Sequence, residues 1–340
     1  MKHLRSSSIA ACALSIVAAG SINAQTTATT DPVGFQTTTV PVGTTTLANP
    51  LVNANLLSAG ATANTTSTVT FSGVTNVGSL LTATEPYYIE VVTGALEGER
   101  FDVNTSATIA SANGTVTINP SSANNTSTLG AGSLNGSSIA LRKHITLEQL
   151  GGAFSPALIG SNSANSADQI ALWDGASGTL VSYYLRADGV TWRQVGTTAS
   201  ANKLPVASGV GFFFTKRTSP TTFTSVGSVR NNDFSLPLAL GSAFQAPGYP
   251  VSYSPSTLGG TTANGWTGNN SANSADQLQV WEPNSGTFTS YYLRADGTTW
   301  RQVGTTTDVK ASELFAANNG FLILRKTADT SYVLLNPVVQ

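Results

Sequence analysis

The chain has 340 residues, and only 10% of them are charged, compared with about 25% in ordinary soluble proteins. Its 16 basic and 17 acidic residues are spread without long blocks of one sign, so we expect no polyanion-binding surface and no nucleic-acid partner. The single cysteine, Cys12, excludes an intrachain disulfide framework.

The first 24 residues have the organisation of a secretory signal peptide. The basic residues Lys2 and Arg5 are followed by an apolar run at 9–19, and the small residue Ala24 precedes the expected cleavage point. The apolar run is too short to remain in a bilayer. A lipoprotein signal ending at Cys12 is the alternative, but it would leave an apolar stretch of only a few residues. The pattern predicts an exported, secreted or cell-envelope protein, located in the periplasm, on the outer surface or outside the cell.

Removal of the signal peptide limits the chemistry of the mature chain. Cys12 and Met1 are the only sulfur-containing residues, so cysteine nucleophiles and thiolate metal sites are excluded. Loss of Lys2 and Arg5 leaves 14 basic residues against 17 acidic ones, a net charge of −3. No later apolar segment approaches about 18 uninterrupted residues, so we expect no membrane span after the signal.

Residues 25–144 form the first predicted unit of the mature chain, a β domain rich in Thr, Ser, Asn and Gly. Islands of β-branched and aromatic residues occur at 68–71, 87–92 and 116–118. We expect strands at these islands, joined by long polar loops.

A tandem duplication organises the rest of the chain. Residues 163–198 match residues 271–306 at a constant offset of 108, with 27 of 36 positions identical. We therefore predict two β repeat modules, module 1 at residues 145–229 and module 2 at residues 230–340. The predicted fold class is all-β, with tandem β-sandwich-like or small-barrel modules and an internal duplication.

Each copy contains a hairpin whose two faces can be assigned. The Asp-Gly pair at 188–189 lies between two β-type runs and predicts a two-residue turn in which both central residues have a positive φ. In that register Leu185 faces Trp192, and Tyr184 faces Arg193. We expect Leu185 and Trp192 on the core face, with Tyr184 and Arg193 on the opposite face.

Two further local predictions concern module 1. The three phenylalanines at 212–214 are apolar on both faces of a strand, so that strand should be central in its sheet. The sequence Thr-Leu-Glu-Gln-Leu at 146–150 predicts the start of a short helix.

Several short motifs follow one another along the mature chain. Arg-Lys-His-Ile-Thr-Leu at 142–147 is followed by Ser-Ala-Asp, a Trp-containing strand, Tyr-Tyr and Trp-Arg. Tyr-Tyr-Ile-Glu at 87–90 and Glu-Gly-Glu-Arg-Phe at 97–101 belong to the same set. In these motifs the sequence resembles an uncharacterised family of exported β-rich proteins of verrucomicrobial bacteria. The resemblance covers most of the mature chain; it implies export and a β-rich fold, and it implies no activity.

His144 is the only histidine that remains after signal removal. A serine triad would require it, but the sequence has no Gly-x-Ser-x-Gly elbow, and a metal site would need a second imidazole. We interpret His144 as a boundary residue and predict no catalytic residue.

A cluster of carboxylates in the N-terminal unit supports an alternative, a glycosidase-like hydrolase that works without histidine. Glu97, Glu99 and Asp102 lie close in sequence, with Glu85 and Glu90 nearby. We favour local ion pairing, because sequence spacing alone does not set the carboxylate separation that glycoside hydrolysis needs.

Oxygen-bearing side chains also gather before the first strand of each repeat. Asp168 follows Asn162 and Asn165, and Asp276 occupies the same place in the second copy. Calcium uses such ligands, but the Asp-x-Asp-x-Asp-Gly run is absent and these residues commonly cap turns. We predict no metal and no cofactor.

Aromatic and arginine side chains on one face of the hairpins are the candidate ligand-binding residues. Such a face could stack on sugar rings, and the duplication would supply two sites. The competing interpretation is a cation–π ladder that covers a sheet face or packs one module on the next, and we favour it. The eight candidates are Trp173, Tyr184, Arg186, Arg193, Trp281, Tyr292, Arg294 and Arg301.

We therefore predict a non-enzymatic β-repeat protein with a structural or adhesive role. A glycan-binding module is the first alternative, and it requires Trp173 and Trp281, or Tyr184 and Tyr292, to be exposed. The expected partners are extracellular polysaccharide or other envelope proteins.

Overall fold

The computed structural model describes residues 32–174, 177–238, 240–246, 248–306, 308–309, 316–327, 330–334 and 336–337. The predicted signal peptide at residues 1–24 lies outside them. The described chain consists of antiparallel β-sheets with a few short helices, which confirms the predicted all-β fold class. Within these ranges no helix has the length and apolar character to cross a membrane.

The first two described strands are β1 Val33–Val40 and β2 Gly43–Ala48. Their many threonines suit the extended backbone, since β-branched side chains pack well on a pleated sheet. The two strands do not pair with each other, because each belongs to a different sheet. Their partners are more than a hundred residues away, in module 1.

Residues 49–144, the inserted unit, lie in sequence between these two strands and the rest of module 1. Its elements are β3 Asn55–Asn64, β4 Thr68–Phe71, a 3₁₀ turn Val77–Leu80, β5 Tyr87–Val91, β6 Arg100–Asp102, α1 Thr105–Ser111, β7 Thr115–Thr117 and β8 Ser138–Lys143. The strands form one sheet in the order β6-β5-β8-β3-β4-β7. Ile89, Phe101, Val116 and Leu141 lie in its buried core.

Module 1 is a two-sheet sandwich. Its elements are β9 Ile145–Thr146, α2 Leu147–Gly152, β10 Phe154–Ser155, a 3₁₀ turn Ala164–Ser166, β11 Gln169–Asp174, β12 Thr179–Leu185, β13 Trp192–Gln194, β14 Pro205–Val206, β15 Gly211–Lys216 and β16 Thr221–Ser228. One sheet has the order β13-β12-β11-β15-β2 and the other β1-β16-β10; β14 pairs with β9. Ile170, Trp192, Phe212 and Phe223 lie in the core that both sheets share.

Module 2 repeats this arrangement. Its elements are β17 Phe234–Leu238, β18 Gly241–Gln245, 3₁₀ turns Thr262–Asn264 and Ala272–Ser274, β19 Gln277–Glu282, β20 Thr287–Leu293, β21 Trp300–Gln302, β22 Asp308–Val309, β23 Phe321–Arg325 and β24 Thr330–Leu334. The larger sheet has the order β18-β23-β19-β20-β21-β22, and β17 pairs with β24. Phe234, Leu278, Trp300 and Phe321 lie in its core.

Both modules are completed by an equivalent first pair of strands, whose two members belong to different sheets. β1 pairs with β16 and β2 with β15, as β17 pairs with β24 and β18 with β23. Gly43 lies opposite Lys216 and Gly241 opposite Arg325, and both glycines have the positive φ (108° and 88°) that side-chain-bearing residues avoid. The inserted unit therefore interrupts module 1 after its first two strands. The predicted unit 25–144 contains those two strands, and the boundaries at 144 and 229 remain a prediction.

The predicted hairpin register is confirmed, and the predicted turn conformation is wrong. Leu185 pairs with Trp192 and Tyr184 with Arg193. Of the central residues only Gly189 has a positive φ, 73°. Asp188 does not have a positive φ, and its carboxylate accepts the N–H groups of Val190 and Thr191 at 3.0 and 2.8 Å. The loop closes through Arg186, which donates its N–H to the carbonyl of Thr191 at 2.8 Å and accepts the N–H of Gly189 at 3.0 Å.

Both other local predictions for module 1 are confirmed. β15 lies between β11 and β2, and Phe212 and Phe214 are fully buried. α2 begins with a capping box, in which Thr146 and Gln149 each satisfy a backbone N–H of the other.

Candidate functional site

Trp281 lies at the contact between the two modules. Its indole N–H donates to the carbonyl oxygen of Thr44 in β2 at 2.9 Å. Its ring packs edge-on against Phe213 of β15 and Phe288 of β20, with centroids 5.6 and 5.1 Å apart. Phe213 in turn stacks on Phe244 of β18 at 4.7 Å. Trp281 therefore joins the modules and does not present a flat face to solvent.

Trp173, the equivalent residue of module 1, is half-buried. Its indole nitrogen is shielded from solvent, and no described residue accepts a hydrogen bond from it. Trp173 thus has the position of Trp281 without the Thr44 contact.

The two candidate tyrosines are buried. Tyr184 and Tyr292 each expose 8% of their surface. In the β-ladders Tyr184 is flanked by Gln169 and Arg193, and Tyr292 by Gln277 and Arg301. The glycan-binding alternative requires exposed tyrosines, and these two are buried.

The candidate arginines are half-buried beside these rings. The Nε atoms of Arg186, Arg193 and Arg294 are shielded from solvent and have no hydrogen-bond partner in the described ranges. Arg301 forms an ion pair with Asp308 of β22 at 2.7 Å, which raises the pKa of Arg301. Among the described residues the guanidinium–ring contacts lie elsewhere, at Phe234 and Trp266, so these tyrosines and arginines do not form the predicted cation–π ladder.

The aspartates considered as calcium ligands form buried ion pairs instead. Asp168 pairs with Lys216, and it also accepts the N–H groups of Ile159 and Arg217, both at 2.8 Å. Its side chain and that of Lys216 expose 0% and 3%. Asp168 therefore holds the end of β15, where Lys216 and Arg217 lie, against the segment that contains Ile159.

Module 2 contains the equivalent buried ion pair, with an arginine in place of the lysine. Asp276 pairs with Arg325 at 2.7 Å and accepts the N–H groups of Thr267 and Lys326 at 2.7 and 2.8 Å. In the part of the chain that the structure describes, no three His, Cys, Asp or Glu side chains are grouped to hold a metal ion. The basic pairs Lys216-Arg217 and Arg325-Lys326 occupy equivalent places in the two repeats, but each acidic partner lies 48 or 49 residues earlier, too far for local spacing to show the contact.

Sequence reasoning missed a second charged cluster, where all three units meet. Arg230 donates to Glu90 of the inserted unit at 2.6 Å, to Ser208 of module 1 at 2.6 Å and to the carbonyl of Gly248 in module 2 at 3.1 Å. Glu90 also accepts from Arg142 at 2.9 Å. Burial alone would raise the pKa of Glu90, but the charges of Arg230 and Arg142 outweigh it and lower that pKa.

Phe234 adds an aromatic centre to this junction. The guanidinium carbons of Arg100 and Arg230 lie 4.2 and 4.7 Å from the centroid of its ring. Arg100 also donates to the carbonyl of Ser235, and the Ser235 hydroxyl donates to Glu99 at 3.0 Å. A cation–π sandwich and hydrogen bonds thus hold the inserted unit against β17.

The remaining carboxylates of the N-terminal cluster also have structural contacts. Glu97 accepts the N–H of Asp233 at 3.0 Å, and Glu85 pairs with Lys143 and Lys203, each at 2.8 Å. Glu90 and Glu99 are held in the junction. Among the described residues, the carboxylates of this cluster therefore form no pair that faces across an open cleft, as glycoside hydrolysis would need.

His144 and Asp102 form a buried contact at the end of the inserted unit. Nε2 of His144 lies 2.7 Å from Asp102, which also accepts from Ser122 at 2.6 Å and Asn124 at 2.8 Å. Burial opposes the ionised carboxylate, but these hydrogen bonds lower the pKa of Asp102. Serine and histidine both contact the aspartate and not each other, which is not the order of a serine triad.

A cleft of about 460 Å³ opens beside Trp192 in module 1. Phe154, Leu158 and Leu185 form part of its apolar lining, and Glu148 belongs to its polar lining. This volume and mixed lining are within the range of sites for small ligands.

The cleft distinguishes the two duplicated tryptophans. The indole N–H of Trp300 donates to the carbonyl of Gly260 at 2.7 Å. The indole N–H of Trp192 has no acceptor in the part of the chain that the structure describes, and Trp192 lines the cleft. In module 1 this indole N–H is therefore available to a ligand in the cleft, whereas in module 2 the equivalent N–H forms an internal hydrogen bond.

No protein-family model, no curated protein and no solved structure matches the chain.

Proposed function

We propose that the protein is an exported, non-enzymatic component of the cell envelope with a structural or adhesive role. The observation that supports this most is the junction at Arg230, whose side chain is fully buried and forms hydrogen bonds with the inserted unit and both modules. Trp281, one of the candidate platform residues, likewise holds module 2 against module 1. A chain built in this way resists local opening, which suits a part that bears or transmits load.

Composition supports the same role. The mature chain lacks sulfur, so it cannot be inactivated by thiol or thioether oxidation outside the cell. Its few charges and many hydroxyl and amide side chains suit contact with polysaccharide or protein surfaces. The signal-like first 24 residues and the resemblance to exported β-rich proteins supply the expected location.

Cell fractionation tests the location. The full chain should be recovered from the envelope or the medium, with residues 1–24 removed, as mass spectrometry of the N-terminus would report. A variant without residues 1–24 is the control and should remain in the cytoplasm. Recovery of the full-length chain in the cytoplasm would contradict the proposal.

Attachment tests the role. Purified residues 25–340 on a solid support should retain cells or envelope fragments of the producing bacterium above a support coated with an unrelated β-protein. The variant Arg230→Met, which disrupts the junction, should retain fewer. Equal retention by all three coatings would count against an adhesive role.

Glycan binding is the second candidate function. The cleft beside Trp192 is a better site for it than the predicted face of aromatic and arginine side chains. Its apolar wall suits the C–H face of a sugar, the indole N–H suits a sugar oxygen, and Glu148 can accept from a hydroxyl. Titration with neutral and N-acetylated monosaccharides should change the intrinsic fluorescence of wild type and of Trp300→Phe, but not of Trp192→Phe. Equal responses in both variants would exclude the cleft.

A further inference from the structure

The two modules differ in how the outer edge of their first strand is covered. In module 2, the N–H of Ser235 in β17 donates to the carbonyl of Gly98 at 3.2 Å, and Arg100 donates to the Ser235 carbonyl at 3.1 Å. Ser235 is fully buried. Segment 97–100 of the inserted unit therefore occupies the free edge of β17.

The equivalent edge in module 1 is open. Thr37 of β1 lies six residues before Gly43, as Ser235 lies six residues before Gly241, so the two positions correspond. β1 is the end strand of its sheet, and among the described residues no strand pairs with its outer side. Thr37 is exposed where Ser235 is buried.

The hydrogen-bond pattern shows which groups of β1 are free. Val229 donates its N–H to the carbonyl of Pro32, and hydrogen-bonded pairs alternate along an antiparallel ladder. Gly34, Gln36 and Thr38 therefore bond to β16. The backbone groups of Phe35, Thr37 and Thr39 point away from it, toward the open edge.

This edge lacks the usual protection against strand pairing. β1 has eight residues with no charge and no proline, whereas β17 contains Pro237. Val33 and Phe35 are 76% and 75% exposed, and Val226, which pairs with Phe35, is 61% exposed. A long, uncharged edge beside exposed apolar side chains is a template for another strand.

We propose that this edge is a dimer interface, in which β1 pairs antiparallel with β1 of a second copy. A two-fold axis at Thr37 places Thr37 opposite itself and Phe35 opposite Thr39 of the partner. Threonine–threonine and aromatic–β-branched pairs are favourable across a ladder, and no like charges meet. The two three-stranded sheets then form one six-stranded sheet with a closed, isologous contact.

The inference does not depend on the proposed envelope role, because it concerns only the association of the purified chain. Residues 25–340 contain no cysteine, so single cysteines report on the contact without background. The variant Thr37→Cys should form a disulfide-linked dimer on mild oxidation, because paired residues lie about 5.5 Å apart at Cα, within disulfide range.

Val33→Cys is the matched control on the same strand. In the proposed register the two Val33 positions are separated by about 27 Å along the ladder, given about 3.4 Å per residue, so this exposed cysteine should not cross-link. Equal cross-linking of both variants would point to random collision and overturn the proposed register.

Sedimentation of the unlinked chain completes the test. Wild type should show a concentration-dependent dimer, and both Thr37→Pro, which removes the outward N–H, and Phe35→Lys should be monomeric with unchanged circular dichroism. Val190→Lys, which changes a residue 65% exposed on another loop, should leave the dimer intact. A wild type that stays monomeric at several hundred micromolar overturns the proposal and leaves the edge to a different partner.

Discussion

Arg230, the first residue of module 2, donates its Nε–H to Glu90 of the inserted unit at 2.6 Å, and both side chains are fully buried. The contact joins residues 140 positions apart in sequence. A buried charge pair of this kind constrains how units are arranged, because either charge without its partner is strongly disfavoured.

Replacing Glu90 tests the junction. Glu90→Gln leaves Arg230 and Arg142 without their buried anion, so we expect the free energy of unfolding to fall by about 3–5 kcal/mol. Urea denaturation measures this change. Glu148→Gln is the control, because Glu148 is 48% exposed in its contact with Lys203, and its loss should cost about 0–1 kcal/mol. Equal losses would contradict the importance given to burial.

Lysine replacements test the ion pair repeated in the modules. Lys216→Met keeps the length of the side chain but leaves Asp168 without its buried cation, and we expect a loss of about 3–5 kcal/mol by thermal or urea unfolding. Lys203→Met removes a lysine that is 46% exposed and pairs with two carboxylates, and it should leave the free energy of unfolding almost unchanged, because exposed ion pairs contribute little. A Lys216→Met variant as stable as Lys203→Met would show that backbone N–H groups alone satisfy Asp168.

The duplicated tryptophans should differ in their response to the same change. Trp300→Phe removes the donor to Gly260 and leaves a buried carbonyl unsatisfied, whereas Trp192→Phe removes no internal hydrogen bond. We expect Trp300→Phe to be less stable than Trp192→Phe by about 1–2 kcal/mol in urea unfolding. Identical midpoints and slopes for the two variants would contradict the assigned contact.

The Asp-Gly turns should titrate at unusually low pH. Hydrogen bonds from the N–H groups of Thr191 and Val190 lower the pKa of Asp188 to about 2, and those of Thr298 and Thr299 lower the pKa of Asp296 to about 2, from 3.8. Because the folded-state pKa is depressed, this stabilisation is present above about pH 4 and is lost as the pH falls toward 2.

Carboxyl-carbon NMR titration checks this prediction. Both aspartates should titrate near pH 2 in the folded chain and near 3.8 in urea. Titration of both groups at their ordinary value in the folded chain would show that the turn hydrogen bonds are absent in solution.

Local patterns allowed the repeats and their hairpins to be predicted. The Asp-Gly pair fixed the register in which Leu185 faces Trp192, because turn length and the two-residue period of a strand set the pairing together. The φ angle of Asp188 was not predictable in the same way, since it depends on a side-chain bond to Thr191.

Long-range pairing was not accessible from local patterns. β1, with its threonines, has little sequence in common with β17, so nothing marked them as equivalent strands of the two modules. The candidate binding site failed for a related reason. Alternation placed Tyr184 away from the core correctly, but that face is also covered, and Tyr184 exposes only 8% of its surface.

The most direct test of the account is whether the inserted unit and both modules unfold together. All five tryptophans lie in the modules and none lies in residues 49–144, so fluorescence reports on the modules while far-UV circular dichroism reports on every sheet. Because the junction at Arg230 links all three units, the two signals should follow one coincident transition in urea. Separate transitions in the wild-type chain would contradict the claim that this junction makes them one cooperative structure.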